Sequence, residues 1–91
     1  MTSPVKVLEA KDICRNHFTR GDKHCFIGWL RHWFGFDSVE YRKALETARQ
    51  IIGTISLTSW NDHWWRPEAE IARAINKVTA KLGHTEGNPE A

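Results

Sequence analysis

The stretch KHCFIGWLRHWFG, residues 23–35, decides the fold because it leaves almost no polar side when it is drawn as a helix. A helix that is apolar nearly all round belongs in the middle of a fold, covered by its neighbours. The pattern therefore predicts a central helix with Asp22 as its N-cap residue. The apolar residues of this helix are Cys25, Phe26, Ile27, Trp29, Leu30, Trp33 and Phe34.

The segment that follows has the clearest helix start of the chain. Asp37 is the predicted N-cap residue, Glu40 at position N3 completes a capping-box variant, and Phe36 is placed to pack on Tyr41. The apolar residues then recur at i, i+3, i+4 and i+7, which is typical of an amphipathic helix. The indole rings of the central helix are expected to pack on this apolar stripe, which consists of Tyr41, Ala44, Leu45, Ala48, Ile51, Ile52 and Ile55.

Two further helices complete the predicted bundle. The first opens at Ser3-Pro4, an N-cap residue followed by a proline suited to the first helical position, and it ends near Arg20, before a glycine. The last begins around Pro67 and stops at Gly83. No other stretch shows the alternation of a strand or the turn signal of a hairpin. The sequence therefore predicts an all-α fold, a compact bundle of about four helices with a central apolar helix.

Composition and charge are those of an ordinary globular domain. Hydrophobic residues make up 41% and charged residues 26% of the 91 residues, and the net charge is +2. We expect a single helical domain over residues 1–83 and a polar flexible tail over residues 84–91. No apolar run is long enough to span a membrane, and the N-terminus lacks the apolar core of a signal peptide. The expected location is therefore the cytoplasm.

Cysteines and histidines lie close together near the predicted corner between the first two helices. Four residues of types that bind zinc fall in this short segment: Cys14, His17, His24 and Cys25. Neighbouring helical residues point about 100° apart, so His24 and Cys25 would diverge if both lay on the helix. A zinc-stabilised domain stays open as an alternative. Buried thiols and surface histidines are the simpler interpretation, and we predict no metal or other cofactor.

A catalytic arrangement can also be composed from the same part of the chain. Cys25 would be the nucleophile, and nothing in the sequence decides which residues would assist it. The candidates are one of His17, His24 and His63, and either Asn61 or Asp62. A nucleophilic thiol needs an accessible, electropositive niche, whereas Cys25 begins an apolar segment. Paired carboxylates, a glycine-rich phosphate loop and an HExxH motif are all missing from the sequence. We therefore predict no enzymatic activity and no catalytic residue.

The last helix carries basic residues that indicate an alternative function. They recur at roughly helical spacing and could contact nucleic-acid phosphates. Acidic residues in the first turn of this helix, and lysines near its end, also suit the helix dipole, so ordinary helix electrostatics explains the same pattern. A nucleic-acid-binding module is therefore the alternative to a protein-binding one, and its candidate residues are Arg66, Arg73, Lys77 and Lys81.

The segment WNDHWWRPEAEI, residues 60–71, holds three of the five tryptophans of the chain. Trp60 can plug an end of the bundle, and Asn61 or Asp62 can form a capping turn. Trp64 and Trp65 are adjacent, so they face different directions and a small bundle does not easily bury both. Tryptophan and arginine are enriched at the centres of protein interfaces. The predicted partner-binding surface is therefore Trp60, Asn61, Asp62, His63, Trp64, Trp65 and Arg66.

Two segments of the chain resemble a family of small helical domains of actinobacteria and bacteriophages. CFIGWL, residues 25–30, is similar to a C-x-x-G-A-L-like motif, although Trp29 stands where alanine is usual. WNDHWWRPEAEI is similar to a W-N-D…R-x-x-x-E-[VI] motif, although Trp64 and Trp65 stand where small or turn residues are usual. The resemblance spans roughly residues 5–82, and the second motif is matched at Trp60, Asn61, Asp62, Arg66, Glu70 and Ile71.

The resemblance implies a class of function but no reaction, because the family has no established activity. It implies a small accessory or host-interaction protein of a phage or prophage. Together with the tryptophan segment, this predicts a non-enzymatic protein that acts by protein–protein binding, for example by inhibiting a host defence factor. The expected partner is a host or phage protein in the host-cell cytoplasm. A homodimer across a two-fold axis is a further arrangement for an exposed tryptophan corner. Nucleic acid is the less favoured partner, and no membrane is expected.

Overall fold

The computed structural model describes residues 6–15, 19–54, 56–63 and 65–83, and these residues form four α-helices and one short hairpin. The predicted all-α bundle of four helices is confirmed, although its first helix is replaced and a short helix is added. A single 3-10 turn over Ala10–Asp12 comes first. The elements that follow it are β1 (Thr19–Arg20), β2 (Lys23–His24), α1 (Phe26–Phe34), α2 (Val39–Ile52), α3 (Leu57–Asp62) and α4 (Glu68–Lys81).

Helix α1 lies in the middle of the bundle, as its apolar run predicts. It contacts α2, α3 and α4, and Phe26, Leu30 and Trp33 are buried at its centre. Its N-cap residue is Cys25 instead of the predicted Asp22, because the Cys25 Sγ accepts a hydrogen bond from the Gly28 amide at 3.3 Å. The helix therefore begins only after β2 has ended.

Helices α2 and α4 pack against each other and show the predicted apolar stripes. Ala44 and Ala48 of α2 are fully buried, and their small side chains leave room for the indole rings of α1. Helix α4 ends at Lys81, close to Gly83, as predicted. One core joins the helices, and it consists of Leu8, Ile13, Phe26, Trp29, Leu30, Trp33, Phe34, Tyr41, Ala44, Ala48, Leu57, Ile71, Ala72, Ala74, Ile75 and Val78.

The predicted first helix does not form in the described part of residues 3–20. Leu8 lies outside any helix or strand, and in the described part of this segment only the single 3-10 turn over Ala10–Asp12 follows it. Asn76 of α4 explains this path. Its Oδ1 accepts a hydrogen bond from the Leu8 amide at 2.9 Å, and its Nδ2 donates to the Leu8 carbonyl at 3.0 Å. These bonds engage backbone groups that a helix would use internally.

A two-residue turn at Gly21-Asp22 closes the hairpin of β1 and β2, so the prediction that no hairpin exists is wrong. Gly21 has a φ of +63°, in the left-handed region that favours glycine. Glycine followed by aspartate is a recognised pair for such turns, and the glycine that predicts a helix stop instead marks a hairpin. The hairpin is tied to the N-terminal segment, because the Cys14 amide donates to the His24 carbonyl at 3.1 Å.

Ser38 holds the turn between α1 and α2, in place of the predicted N-cap residue Asp37. The Ser38 Oγ accepts a hydrogen bond from the Tyr41 amide at 3.0 Å and donates one to the Phe34 carbonyl at 2.7 Å. It therefore caps α2 and also satisfies a carbonyl at the end of α1. Asp37 instead has a φ of +63° and forms an exposed ion pair with Arg42.

We expect Ser38→Ala to lower the free energy of unfolding by about 1–2 kcal/mol, because an N-cap hydroxyl contributes this much. Asp37→Asn is the matched control. Asparagine also tolerates a positive φ, and an exposed ion pair contributes only about 0–1 kcal/mol. Urea denaturation of both variants measures the difference. Equal losses in the two variants would contradict the assignment of Ser38 as the cap.

Candidate partner-binding surface

Helix α3 and the turn after it carry the residues that the sequence predicts to bind a partner. The sequence predicts a capping turn in this place, whereas the structure has a short helix with Ser56 as its N-cap residue. The Ser56 Oγ accepts a hydrogen bond from the Ser59 amide at 3.3 Å, and Leu57 anchors the helix in the core. The turn leads to Pro67, the N-cap residue of α4. Trp64 lies outside the described residues.

Arg66 is buried, although both predicted surfaces require it to be exposed. Its guanidinium carbon lies 3.9 Å from the centroid of the Trp60 ring and 4.9 Å from the centroid of the Trp65 ring. Its Nε donates to the Trp60 carbonyl at 2.8 Å, and its Nη1 forms an ion pair with Glu70. Arg66 therefore holds two indole rings in place, and it is removed from the residues that could reach nucleic-acid phosphates.

Among the described residues of this region, Trp65 is the exposed aromatic ring, with 53% of its surface accessible. The His63 imidazole packs against it edge to face, with the ring centroids 4.7 Å apart. Trp60 is half-buried and packs on Phe26, with the ring centroids 5.9 Å apart. We call Trp60, His63, Trp65 and Arg66 the aromatic corner. It presents one exposed indole that neighbouring side chains hold from within the protein.

Asn61 does not belong to the exposed surface, because its side chain is fully buried. Its Oδ1 accepts a hydrogen bond from the Phe26 amide at 2.9 Å, and its Nδ2 donates to Asp62 Oδ1 at 2.9 Å and to the Cys14 carbonyl at 3.4 Å. Asp62 is half-buried and is held by the same amide. Asn61 therefore joins α3 to α1 and to the N-terminal segment, and it is removed from the predicted contact residues.

A groove between α2 and α4 adjoins the aromatic corner through Trp60. Its volume is about 360 Å³. The sequence stripe predicts that Ile51 is buried, but 38% of its surface is accessible. The sequence does contain a signal for the exposure of Ile51, because the end of α2 carries more apolar residues than one face of a helix can bury. The groove is lined by the apolar side chains of Ile51, Ile52, Trp60 and Ala74 and by the charged side chains of Glu70, Arg73 and Lys77.

The basic stripe of α4 is shorter than the sequence predicts. Arg73, Lys77 and Lys81 are exposed, and their spacing of four residues places them on one side of the helix. Arg73 and Lys77 also line the groove, where Glu70 is already paired with Arg66. The charge that the groove offers to a partner is therefore positive, and it suits either the carboxylates of a protein or the phosphates of a nucleic acid.

The two cysteines are buried, as the simpler interpretation of the sequence predicts. Burial raises the pKa of both the Cys14 and the Cys25 thiols, which keeps them protonated at neutral pH. A protonated thiol is a poor nucleophile. Within the described residues, no three His, Cys, Asp or Glu side chains gather where they could hold a metal ion. His17, the remaining candidate ligand, lies outside those residues.

The comparisons with known proteins identify no relative of this chain, so its function has to be argued from the geometry of the surface. In the described part of the chain, no helix has the length and apolar character needed to cross a membrane. Comparison of the chain with protein-family models, with curated proteins and with solved structures finds no match to any of the three. The family resemblance of the two sequence motifs therefore stays a prediction.

Proposed function

We propose that this protein is a small non-enzymatic binding module that captures another protein through Trp65 and the groove between α2 and α4, which Trp60 of the aromatic corner lines. The observation that carries the proposal is the exposure of Trp65 while His63 and Arg66 hold its ring. An exposed indole forgoes the free energy that burial would supply. A ring that is ordered before binding loses little entropy when a partner covers it. Both properties are typical of an interface anchor.

The groove supports a partner segment that is both apolar and acidic. Its floor offers Ile51 and Trp60 to apolar side chains of the partner. Its rim offers Arg73 and Lys77, whose charges complement carboxylates and would steer the encounter. An amphipathic helix with acidic residues beside its apolar stripe combines these features and is a common occupant of such grooves. We therefore propose this chemistry for the partner segment.

The biological setting of the proposal comes from the sequence resemblance. An accessory protein of a phage or prophage would act in the host-cell cytoplasm and bind a host or phage protein, for example a defence factor that it inhibits. The tryptophans at positions 64 and 65 depart from the family pattern. The exposure of Trp65 supports a contact surface that is particular to this chain.

Trp65→Ala is expected to abolish partner capture while leaving the fold intact. Truncation of an interface anchor costs 2 kcal/mol or more, which weakens binding by roughly thirtyfold. The measurement is a pull-down from host lysate with wild type and variant, with circular dichroism as the check on folding. Phe36→Ala is the matched control, since Phe36 is an exposed aromatic residue at the turn between α1 and α2. Capture that survives Trp65→Ala would overturn the proposal.

Nucleic-acid binding is the second candidate function, and the exposure of Arg73, Lys77 and Lys81 favours it. Three phosphate contacts predict that log affinity for duplex DNA falls with log salt at a slope of about −3. The single variants Lys77→Glu and Trp65→Ala, measured side by side, distinguish protein binding from nucleic-acid binding. A protein partner is lost with either variant, whereas DNA binding is lost with Lys77→Glu and survives Trp65→Ala.

A homodimer is the third arrangement for the exposed indole of Trp65. Two copies would place the same surface on both sides of a two-fold axis. Sedimentation equilibrium measures it directly. A dimer that dissociates on Trp65→Ala would assign the aromatic corner to self-association, and a monomer at all concentrations would leave the corner to a different protein.

A further inference from the structure

A cavity of about 420 Å³ lies between the N-terminal segment, the hairpin and the beginning of α4. Its apolar lining comes from Ile13 and Cys14. Its charged lining comes from Arg15, Arg20, Lys23 and Glu68, so three cations face one carboxylate. The described residues that line this cavity belong neither to the aromatic corner nor to the groove between α2 and α4.

Two of the three cations are placed opposite each other by the hairpin. Arg20 and Lys23 are direct partners in the antiparallel register, on either side of the Gly21-Asp22 turn. Like charges directly opposite each other on neighbouring strands destabilise a sheet. In the part of the chain that the structure describes, the Arg20 guanidinium forms no ion pair. The described residues therefore supply no ion-pair partner for the Arg20 guanidinium, and an anion bound in the cavity would supply one.

The third cation of the cavity, the Arg15 guanidinium, is held in position by the protein. Arg15 is half-buried, and its Nη2 donates a hydrogen bond to the His63 carbonyl. A guanidinium has five N–H donors in a fixed plane, so further donors are available to a ligand. Because its position is fixed by the protein, little side-chain entropy is lost when an anion arrives.

We propose that this cavity binds a small molecule that carries a phosphate group. Arg15, Arg20 and Lys23 would surround the phosphate oxygens, and arginine matches the geometry of phosphate with two parallel hydrogen bonds. The volume falls within the range of about 300–1,000 Å³ that is typical of small-molecule sites, so it admits an organic group beside the phosphate. Ile13 and Cys14 would contact that organic group.

The test is a titration of the full chain, at constant ionic strength, with inorganic phosphate and with adenosine monophosphate, followed by amide chemical shifts in NMR. We expect saturable shifts at Ile13, Cys14, Arg20 and Lys23, with the nucleotide bound more tightly than inorganic phosphate. The double variant Arg20→Gln/Lys23→Gln should weaken both by about tenfold or more, because each lost contact is a charge-assisted hydrogen bond. It should melt no lower than wild type, since the opposed charges are removed.

The double variant Arg42→Gln/Lys43→Gln on α2 is the matched control, because it removes the same charge from an exposed surface elsewhere. It should leave the dissociation constant for the nucleotide unchanged within about twofold. The proposal is overturned if no saturation occurs by about 10 mM ligand, or if the control weakens binding as much as the hairpin variant. Duplex DNA that binds through Arg20 and Lys23 more tightly than the nucleotide would also overturn it, in favour of nucleic-acid phosphates.

Discussion

Trp33→Ala is expected to lower the free energy of unfolding by about 3–5 kcal/mol, the range for truncating a buried tryptophan. Only 1% of the Trp33 surface is accessible, and its ring lies 5.1 Å from the ring of Trp29. The variant would leave a cavity where α1 meets its neighbours, and a small bundle cannot collapse around so large a gap. Since whole domains are stable by about 5–15 kcal/mol, the variant should be largely unfolded or badly loosened.

Urea denaturation followed by circular dichroism measures the loss, with Trp65→Ala as the control for removing an indole. Trp65 is half exposed, so its truncation should cost much less stability than truncation of Trp33. If Trp33→Ala melts within a few degrees of wild type, the packing described for α1 does not exist. The contact surface would then have to be sought on α1 instead of at the aromatic corner.

Asn61→Ala is expected to cost about 2–4 kcal/mol, although it removes only a short polar side chain. The buried Phe26 amide would lose its acceptor, and the Cys14 carbonyl would lose a donor. Each buried group left without a partner costs about 1–3 kcal/mol, and the first turn of α1 would lose the bond that ties it to α3. The result should be fraying at the start of α1 as well as a lower melting temperature.

Amide hydrogen exchange locates this effect, because it reports opening residue by residue. Faster exchange is expected at Phe26 and in the residues of α1 that follow it. Thr58→Ala is the matched control, since Thr58 is exposed on the same short helix. If both variants lose the same small amount of stability, the hydrogen bonds of Asn61 do not hold α3 against α1.

The sequence predicts α1, α2 and α4 because each of them carries its own signal. In α2 the apolar residues recur with the period of a helix. This periodicity predicts that Ala44 and Ala48 lie on the buried face, and both are buried. The apolar run of α1 predicts a buried helix irrespective of which neighbours cover it. Gly83, the predicted stop of the last helix, has a positive φ at the end of α4. Helix α2 ends at Ile52 with Gly53 at a positive φ, although the apolar stripe predicts that the helix continues to Ile55.

The N-terminal segment could not be predicted because distant residues decide its path. Local spacing favours a helix over residues 3–20, but Asn76 binds both backbone groups of Leu8 from a point 68 positions further along the chain. The Gly21-Asp22 pair suits both a helix stop and a hairpin turn. The hairpin is joined to the N-terminal segment by the hydrogen bond from the Cys14 amide to the His24 carbonyl, and a local sequence pattern does not contain this contact.

The sequence predicts the exposed tryptophan of the candidate site, but it does not predict which of the neighbouring polar residues are buried. Adjacent tryptophans predict an exposed indole because a small bundle cannot bury both, and Trp65 is exposed as expected. Arg66 and Asn61 are polar residues that the sequence places at the surface, but each has several partners that make burial tolerable. The groove forms between α2 and α4, which are not adjacent in the sequence. The pattern of either helix alone therefore does not predict it.

Photo-crosslinking from position 65 tests the central claim most directly. The side chain of Trp65 is replaced by p-benzoylphenylalanine, and the same replacement at Phe36 gives the matched control on another exposed aromatic position. We predict that the partner found in the pull-down crosslinks to position 65 and not to position 36. Crosslinking from position 36 alone, or from neither position while the partner still binds, would contradict a contact surface at the aromatic corner.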